Sequence, residues 1–312
     1  MKEIGGYFGL EEFHGREYHE GLIGVNSARN ALLYILKARG VKKLYIPRFL
    51  CDTVARLCDR EGYTYEEYPI DEGFLPVFDR ELAAGEWLYI VNFYGRISDV
   101  QLLAMKERWG RVIVDNVQAF FHRPLAGVDT VYSCRKFFGV PDGGYVSCDA
   151  APLALEGDYS AGRMKHVLGR FEHSGSEFYG DFQANDESFY DLPLLEMSKL
   201  TRNILRAVDY EEVKRRREAN YAILEAALGA RNRLPKVAVE GPYAYPFYCE
   251  NGMRIKKALA AQKIYVATLW PNVLGCGGIE EDYARNILPL PCDQRYGEAD
   301  MERMAQCLKA LL

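Results

Sequence analysis

The sequence of 312 residues lacks several features that would place it in a specialised class of protein. Its eight cysteines form no Cys-x-x-Cys pair, and its five histidines show none of the spacings typical of a metal site. No apolar run is long enough for a signal peptide or a transmembrane helix. The net charge of -5 offers no basic surface for nucleic acid. We therefore expect a cytoplasmic protein with free thiols, without a metal, and without membrane or nucleic-acid partners.

The composition, 49% hydrophobic and 27% charged, is that of a globular chain too long for one small core. We expect a large domain over residues 1–205 and a smaller one over residues 206–312. With no footprint for a macromolecule, the expected substrate is a small molecule.

Helical and apolar stretches alternate along the first half of the chain. Helices are predicted at 27–40, from about 52, and near 100–109; strands are predicted at 43–47, 63–70, 87–92 and 111–115. This alternation favours the α/β class, with a mostly parallel sheet covered on both faces. Ligands of such sheets bind at the carboxyl ends of the strands, where Asn92 and Asp115 would lie.

The second half is typical of a smaller α+β domain. A long helical pattern covers 209–228, a helix is expected near 254–262, and the run 263–270 predicts a strand. The stretch 155–200 is polar, aromatic and weakly periodic, and it allows no assignment. The last helix would bury one face, formed by Met301, Met304, Ala305 and Leu308.

Three segments carry candidate chemistry, and the first is the helix start at 26–30. Small and polar residues there leave backbone N–H groups free, and the helix dipole makes the position suitable for a phosphate. The alternative is that Ser27 is an ordinary helix cap.

The other two segments contain an acid and a lysine. Asp115 directly follows an apolar strand, where its carboxylate could pair with a protonated pyridine nitrogen, although a helix-capping role is as plausible. Lys136 lies between a strand and a Gly-Gly turn and could form an imine, the alternative being an ordinary surface lysine. A phosphate-type helix start, an acid after a strand and a lysine about twenty residues later together supply what pyridoxal phosphate requires.

In this order the motifs resemble those of the DegT/DnrJ/EryC1/StrS family of pyridoxal-phosphate sugar aminotransferases, which have the aspartate-aminotransferase fold (fold type I). In the first half, the similar motifs are S-G-T/R-x-A-L at 27–32, H-x-Y-G at 92–95, D-A-A-Q-A at 115–119 and G-D-G-G at 141–144. In the second half they are R-x-x-N-Y at 217–221, H-W-P at 269–271 and L-P-x-D-Q-R-Y at 288–296.

The resemblance implies a large domain with a mostly parallel seven-stranded sheet, a small α+β domain, and a homodimer with its active site at the interface. Pyridoxal 5'-phosphate would be carried as a Schiff base on Lys136, which would also move the proton, while Asp115 would keep the pyridine nitrogen protonated. An amino acid, by family habit glutamate, would donate the amino group to a keto group on a nucleotide-linked sugar. The other cofactor contacts implied are Ser27, Ala28, Arg29, Asn30, Cys51, Asn92, Gln118 and Ser133.

Two alternative functions remain on the same fold. Related sugar dehydratases eliminate water, but they typically have histidine at the lysine position, so Lys136 favours amino transfer. The other alternative is a non-catalytic regulator that binds pyridoxal phosphate or a sugar.

Overall fold

A seven-stranded sheet organises the first half of the chain in the computed structural model, which describes residues 4–312. Its strands are β1 (Ile23–Val25), β2 (Lys43–Pro47), β3 (Thr64–Tyr68), β4 (Glu86–Val91), β5 (Val112–Asp115), β6 (Asp129–Ser133) and β7 (Gly144–Ser147). The strand order is β1-β7-β6-β5-β4-β2-β3. Strand β7 runs antiparallel to both neighbours, and all other adjacent pairs are parallel. The predicted α/β class and seven-stranded, mostly parallel sheet are confirmed.

Helices surround this sheet and continue to the end of the chain. They are α1 (Ala28–Ala38), α2 (Thr53–Glu61), α3 (Asp99–Trp109), α4 (Lys165–Glu172), α5 (Tyr179–Ser188), α6 (Lys199–Arg206), α7 (Tyr210–Leu228), α8 (Gly252–Ala261), α9 (Gly278–Asn286) and α10 (Glu298–Lys309). Local chemistry fixes several ends. The Ser27 hydroxyl accepts from the Asn30 N–H at the start of α1, and Ser98 and Gln101 form a capping box on α3. Gly62 ends α2 in the left-handed conformation that glycine adopts without strain.

The middle of the sheet is the most deeply buried part of the molecule. Every residue of β5 and β6 is buried, as is every residue of β4 after Glu86. Strands covered on both faces in this way read as continuous apolar runs, because neither face meets water. The site residues at the ends of these strands therefore rest on a rigid base.

The second half contains a two-stranded antiparallel sheet formed by β8 (Tyr245–Tyr248) and β9 (Ile287–Leu290). Helices α7, α8 and α10 share an apolar cluster with this sheet. The predicted apolar face of the last helix is confirmed, since Met301, Met304, Ala305 and Leu308 are all buried. Among the residues from 4 onward, no helix is long and apolar enough to cross a membrane.

The strand predicted over 263–270 is wrong. The backbone is left-handed at both ends of the run, at Lys263 (φ 60°) and Trp270 (φ 59°). The N–H of Ile264 bonds back to Leu259 at the end of α8, and the run belongs to no strand of either sheet. The unassigned stretch 155–200 contains α4, α5 and the start of α6.

Candidate active site

The carboxyl ends of β4, β5 and β6 bring three predicted site residues side by side. Val91 of β4 pairs with Asp115 of β5, and Asp115 pairs with Val131 of β6. Asn92 directly follows β4, and Ser133 ends β6. Because these strands are parallel, all three ends open on the same edge of the sheet, where α/β folds bind their ligands.

Asp115 is buried at this edge, with 3% of its surface exposed. Its Oδ2 accepts from the Tyr89 hydroxyl at 2.6 Å, and its Oδ1 accepts from the Val117 N–H at 2.8 Å. Burial raises the pKa of Asp115, while the charge of Lys136 and the two hydrogen bonds act in the opposite direction. The carboxylate is thus held in one orientation by partners that favour its ionised form.

Lys136 lies in the turn that follows β6, and its side chain is exposed. Its charge is close enough to Asp115 to lower the pKa of that carboxyl, so the amine and the carboxylate share one site. The next residue, Phe137, is buried. A buried anchor beside an exposed amine leaves the amine free to react while the backbone below it stays fixed.

Side chains from the second half of the chain hold Phe137 in place. The Phe137 carbonyl accepts from Gln294 Nε2 at 2.7 Å and from Arg217 Nη2 at 3.4 Å. Arg217 also donates to Gln294 Oε1 at 2.8 Å, and burial lowers the pKa of Arg217 to about 10. Residues from two motifs of the second half therefore hold the peptide beside Lys136.

A hydrogen bond fixes the orientation of the Gln118 side-chain amide. Its Oε1 accepts from the backbone N–H of Tyr94 at 2.8 Å, and Tyr94 has a left-handed backbone (φ 56°) that non-glycine residues seldom adopt. With Oε1 used in this way, the amide nitrogen of Gln118 has no hydrogen-bond partner among residues 4–312 and is a free donor. Asn92 differs, because its Oδ1 accepts from Ile97 N–H and its Nδ2 donates to Asn116. Asn92 therefore braces the loop, and its predicted contact with a cofactor stays a prediction.

The start of α1 packs closely against β7. A Cβ added at Gly144 would lie 2.7 Å from the Ser27 carbonyl carbon and 2.8 Å from the Ala28 nitrogen, so only glycine permits this approach. Ser133 pairs with Gly144 across β6 and β7 and is buried. The Ser27 hydroxyl caps Asn30, as the alternative interpretation of this segment allowed. The remaining N–H groups of the first turn have no intrahelical partner and can hold an anion.

Arg29 is a half-buried cation that forms no salt bridge within the described residues. Its Nε and Nη1 have no hydrogen-bond partner in the part of the chain that the structure describes, and burial lowers its pKa. Its guanidinium carbon lies 3.9 Å from the centre of the Tyr190 ring, a cation–π contact that offsets only part of the cost of burial. Cys51 is half-buried, and it lies near enough to Arg29 to act on the pKa of that guanidinium. Unpaired cationic donors at the start of α1 fit the phosphate of pyridoxal phosphate.

Several contacts of the site could not be assigned from the sequence. Tyr89 was not a candidate, because its link to Asp115 depends on the register of β4 and β5, in which the two residues are diagonal neighbours on one face. Arg217 and Gln294 lie in recognised motifs, but no role followed from the motifs alone. In the described residues, no group of three His, Cys, Asp or Glu side chains could hold a metal ion.

The chain resembles known proteins in its structure. No family model matches the sequence, and no curated protein matches it. A DegT DnrJ EryC1 StrS aminotransferase from Brucella abortus has a similar structure with a TM-score of 0.64 and 17% identity, covering 94% of this chain and 86% of that protein. The resemblance thus extends over nearly the whole chain, which has the aminotransferase fold that its motifs predicted.

Two further similar structures were determined with a cofactor or a product. The sugar aminotransferase Spr1654 from Streptococcus pneumoniae, in its pyridoxamine-phosphate form, matches with a TM-score of 0.63 and 14% identity over 93% of this chain and 85% of that one. DesI in the presence of its TDP-sugar product matches with a TM-score of 0.62 and 14% identity, over 92% and 79%. At such low identity these similarities establish the fold and nothing finer.

Proposed function

We propose that the protein is a pyridoxal-phosphate aminotransferase related to the DegT/DnrJ/EryC1/StrS enzymes, with Lys136 as its cofactor-bearing lysine. The observation that carries the proposal is that the exposed Lys136 and the buried, hydrogen-bonded Asp115 lie at one edge of the sheet, near enough for the lysine charge to act on the carboxyl. The free N–H groups of the first turn and the unpaired donors of Arg29 lie at the start of α1, which is the position that a cofactor phosphate needs.

Each residue would have a distinct task. Pyridoxal phosphate, when bound, supplies an electron sink for negative charge on the substrate carbon. Lys136 would bind it covalently, and its Nζ would take the proton from the substrate carbon and return it. Asp115 would be the charge partner of the ring nitrogen, and Gln118 would donate its free amide N–H to the ring oxygen. Ser133, the Arg29 side chain and the free N–H groups of Ala28 and Arg29 would hold the phosphate, with Cys51 beside the ring.

The finer parts of the proposal concern the substrates and the assembly. Glutamate would donate the amino group, and a keto group on a nucleotide-linked sugar would accept it; the TDP-sugar product in the DesI structure supports this class of acceptor. The protein would act in the cytoplasm as a homodimer with the active site at the interface. Exposed apolar side chains on α4 and α5 offer surface for a second copy, namely Leu168, Phe171, Tyr179 and Phe182. Sizing in solution tests the dimer, and a monomer would contradict it.

The division into a domain of residues 1–205 and one of residues 206–312 is part of the same proposal. The apolar cluster around β8 and β9 consists only of residues after 220, which supports the division. Limited proteolysis should then cut first between α6 and α7.

The decisive experiment is an absorbance titration of the protein with pyridoxal phosphate, followed by addition of glutamate. We expect a band near the visible edge in the wild type and in Lys257→Ala, which changes an exposed lysine on α8, and none in Lys136→Ala. Glutamate should bleach the band. Absence of the band from the wild type would refute the cofactor assignment. A band that glutamate leaves unchanged, and that no other amino acid bleaches, would favour the non-catalytic regulator.

A further inference from the structure

A chain of hydrogen bonds runs from the protein surface into the loops beneath the site. His122 Nε2 contacts Asp99 Oδ1 at 2.7 Å, and His122 Nδ1 contacts Asn116 Nδ2 at 3.1 Å. Asn92 Nδ2 contacts Asn116 Oδ1 at 3.0 Å. The chain ends at the Ile97 N–H, which donates to Asn92 Oδ1 at 2.9 Å. Two of these links, His122–Asp99 and Asn92–Asn116, join the segment after β4 to the loop after β5, and the other two lie within one of these segments.

The direction of every bond follows from the last one. A backbone N–H can only donate, so Asn92 must present its oxygen to Ile97 and its amide nitrogen to Asn116. Asn116 then accepts through Oδ1 and presents its own nitrogen to His122. The Nδ1 of His122 must therefore accept and carry no proton. The proton is on Nε2, where it is donated to the Asp99 carboxylate.

The two asparagines lie directly beside the candidate site. Asn92 follows β4 and Asn116 follows Asp115, and the exposed fractions of Asn92 and Asn116 are 0% and 1%. A second link, from the Tyr94 N–H to Gln118, joins the same two loops. Such links matter because the loops at the edge of a sheet are more mobile than the strands that they follow.

We infer that His122 is a positioning residue, which Asp99 holds in its Nε2–H tautomer and which fixes Asn116 and, through it, Asn92. The loops after β4 and β5 thereby hold a fixed position relative to each other. Asp115 and Gln118 in turn hold a fixed position relative to the ligand. The effect on the ligand rests on the proposed cofactor; the hydrogen-bond chain does not.

Loss of the imidazole has a defined consequence. The buried amide N–H of Asn116 would lose the acceptor that it has in His122, and rotation of the amide to find another would turn the wrong group toward Asn92. The disturbance starts at a side chain that is 20% exposed and ends at a fully buried one. The fold should therefore survive the change while the loop geometry does not.

The tautomer can be read directly in the cofactor-free protein. Nitrogen NMR of protein labelled at histidine with the heavy nitrogen isotope should show His122 with a protonated Nε2 and an unprotonated Nδ1. In Asn116→Ala the acceptor role of Nδ1 disappears, and its nitrogen resonance should shift. A wild-type His122 with the proton on Nδ1 would overturn the inference.

Three variants separate positioning from simple packing. In His122→Asn the amide oxygen takes the place of Nδ1 and can accept from Asn116; in His122→Gln the polar group reaches only toward Asp99; His122→Leu has neither. We expect amide hydrogen exchange at Ile97 to be at least about tenfold faster in the Leu and Gln variants than in the Asn variant. Melting temperatures should stay close together. Equal exchange in all three would contradict the inference.

Cofactor binding gives the second measurement. The dissociation constant of pyridoxal phosphate should rise about tenfold in His122→Leu and His122→Gln and recover in His122→Asn. Faster exchange with unchanged affinity would overturn the positioning role. If the wild type binds no pyridoxal phosphate, the proposed function fails, yet the tautomer and the exchange rates still decide whether His122 holds the loops.

Discussion

Gln294 donates its side-chain amide to the main-chain carbonyl of Phe137 at 2.7 Å, which joins the last quarter of the chain to the residue after Lys136. Arg217 adds a longer bond to the same carbonyl and also holds the oxygen of Gln294. The position of the lysine backbone is thus set by residues more than eighty positions away as well as by β6. Any shift of the second half relative to the sheet would move the predicted cofactor lysine.

The Gln294–Phe137 bond makes the first prediction. Gln294→Met keeps the length of the side chain but removes both the donor to Phe137 and the acceptor of the Arg217 Nε–H, leaving the Phe137 carbonyl only its 3.4 Å bond to Arg217. We expect the free energy of unfolding to fall by about 1 kcal/mol and the affinity for pyridoxal phosphate to fall about tenfold. Urea denaturation and the absorbance titration measure the two effects. Gln306→Met, at an exposed position of α10, is the control, and equal affinities in the two variants would contradict the prediction.

Tyr89 makes the second prediction. Tyr89→Phe removes the hydroxyl that donates to Asp115 at 2.6 Å, and the pKa of Asp115 should rise because its ionised form loses a partner. The rate of bleaching by glutamate should fall about tenfold. Tyr68→Phe is the matched control, since it removes a buried 2.6 Å hydrogen bond to the Tyr89 carbonyl without touching Asp115. A similar loss of rate in both variants would mean that packing, rather than the carboxylate, is responsible.

The sequence predicted the parts of this fold that depend on local patterns. Helix α10 was predicted because its buried residues repeat with the helical period, and α1 because Ser27 caps an apolar stretch. The placement of Asp115 followed from a general property of parallel sheets, whose strand ends form the functional edge. The motifs then ordered the candidate residues along the chain.

The sequence could not predict the parts that depend on tertiary neighbours. Helix α5 buries only Asn185 and has almost no apolar face, so its pattern gave no signal. Strand β9 contains Pro289 opposite Pro246 of β8, and proline lacks the N–H that a strand normally donates. Two-stranded sheets tolerate this because each strand has a free edge. The Phe137 anchor required knowing which distant side chains meet the lysine turn.

Gly144 makes the third prediction. In Gly144→Ala the new methyl group would press on the backbone of Ser27 and Ala28, so α1 must move away from β7. We expect a loss of about 1 to 3 kcal/mol in the free energy of unfolding and a clear loss of affinity for pyridoxal phosphate. Gly180→Ala in α5 is the control: it has open space, and it should raise helix stability by about 0.5 to 1 kcal/mol. Unchanged cofactor affinity in Gly144→Ala would refute the phosphate site at the start of α1.

His19 makes the last prediction, which concerns acid stability. Burial lowers the pKa of His19 from 6.5 to about 3, so between those values the unfolded chain binds a proton that the folded chain does not. The free energy of unfolding should therefore fall as the pH drops below 6.5, by about 2 kcal/mol at pH 5. In urea denaturation, His19→Gln, which can still donate to the Phe120 carbonyl, should abolish this fall of the free energy of unfolding with decreasing pH. His14→Gln, at an exposed position, should retain the fall. Identical slopes in the two variants would show that His19 is protonated in the folded state.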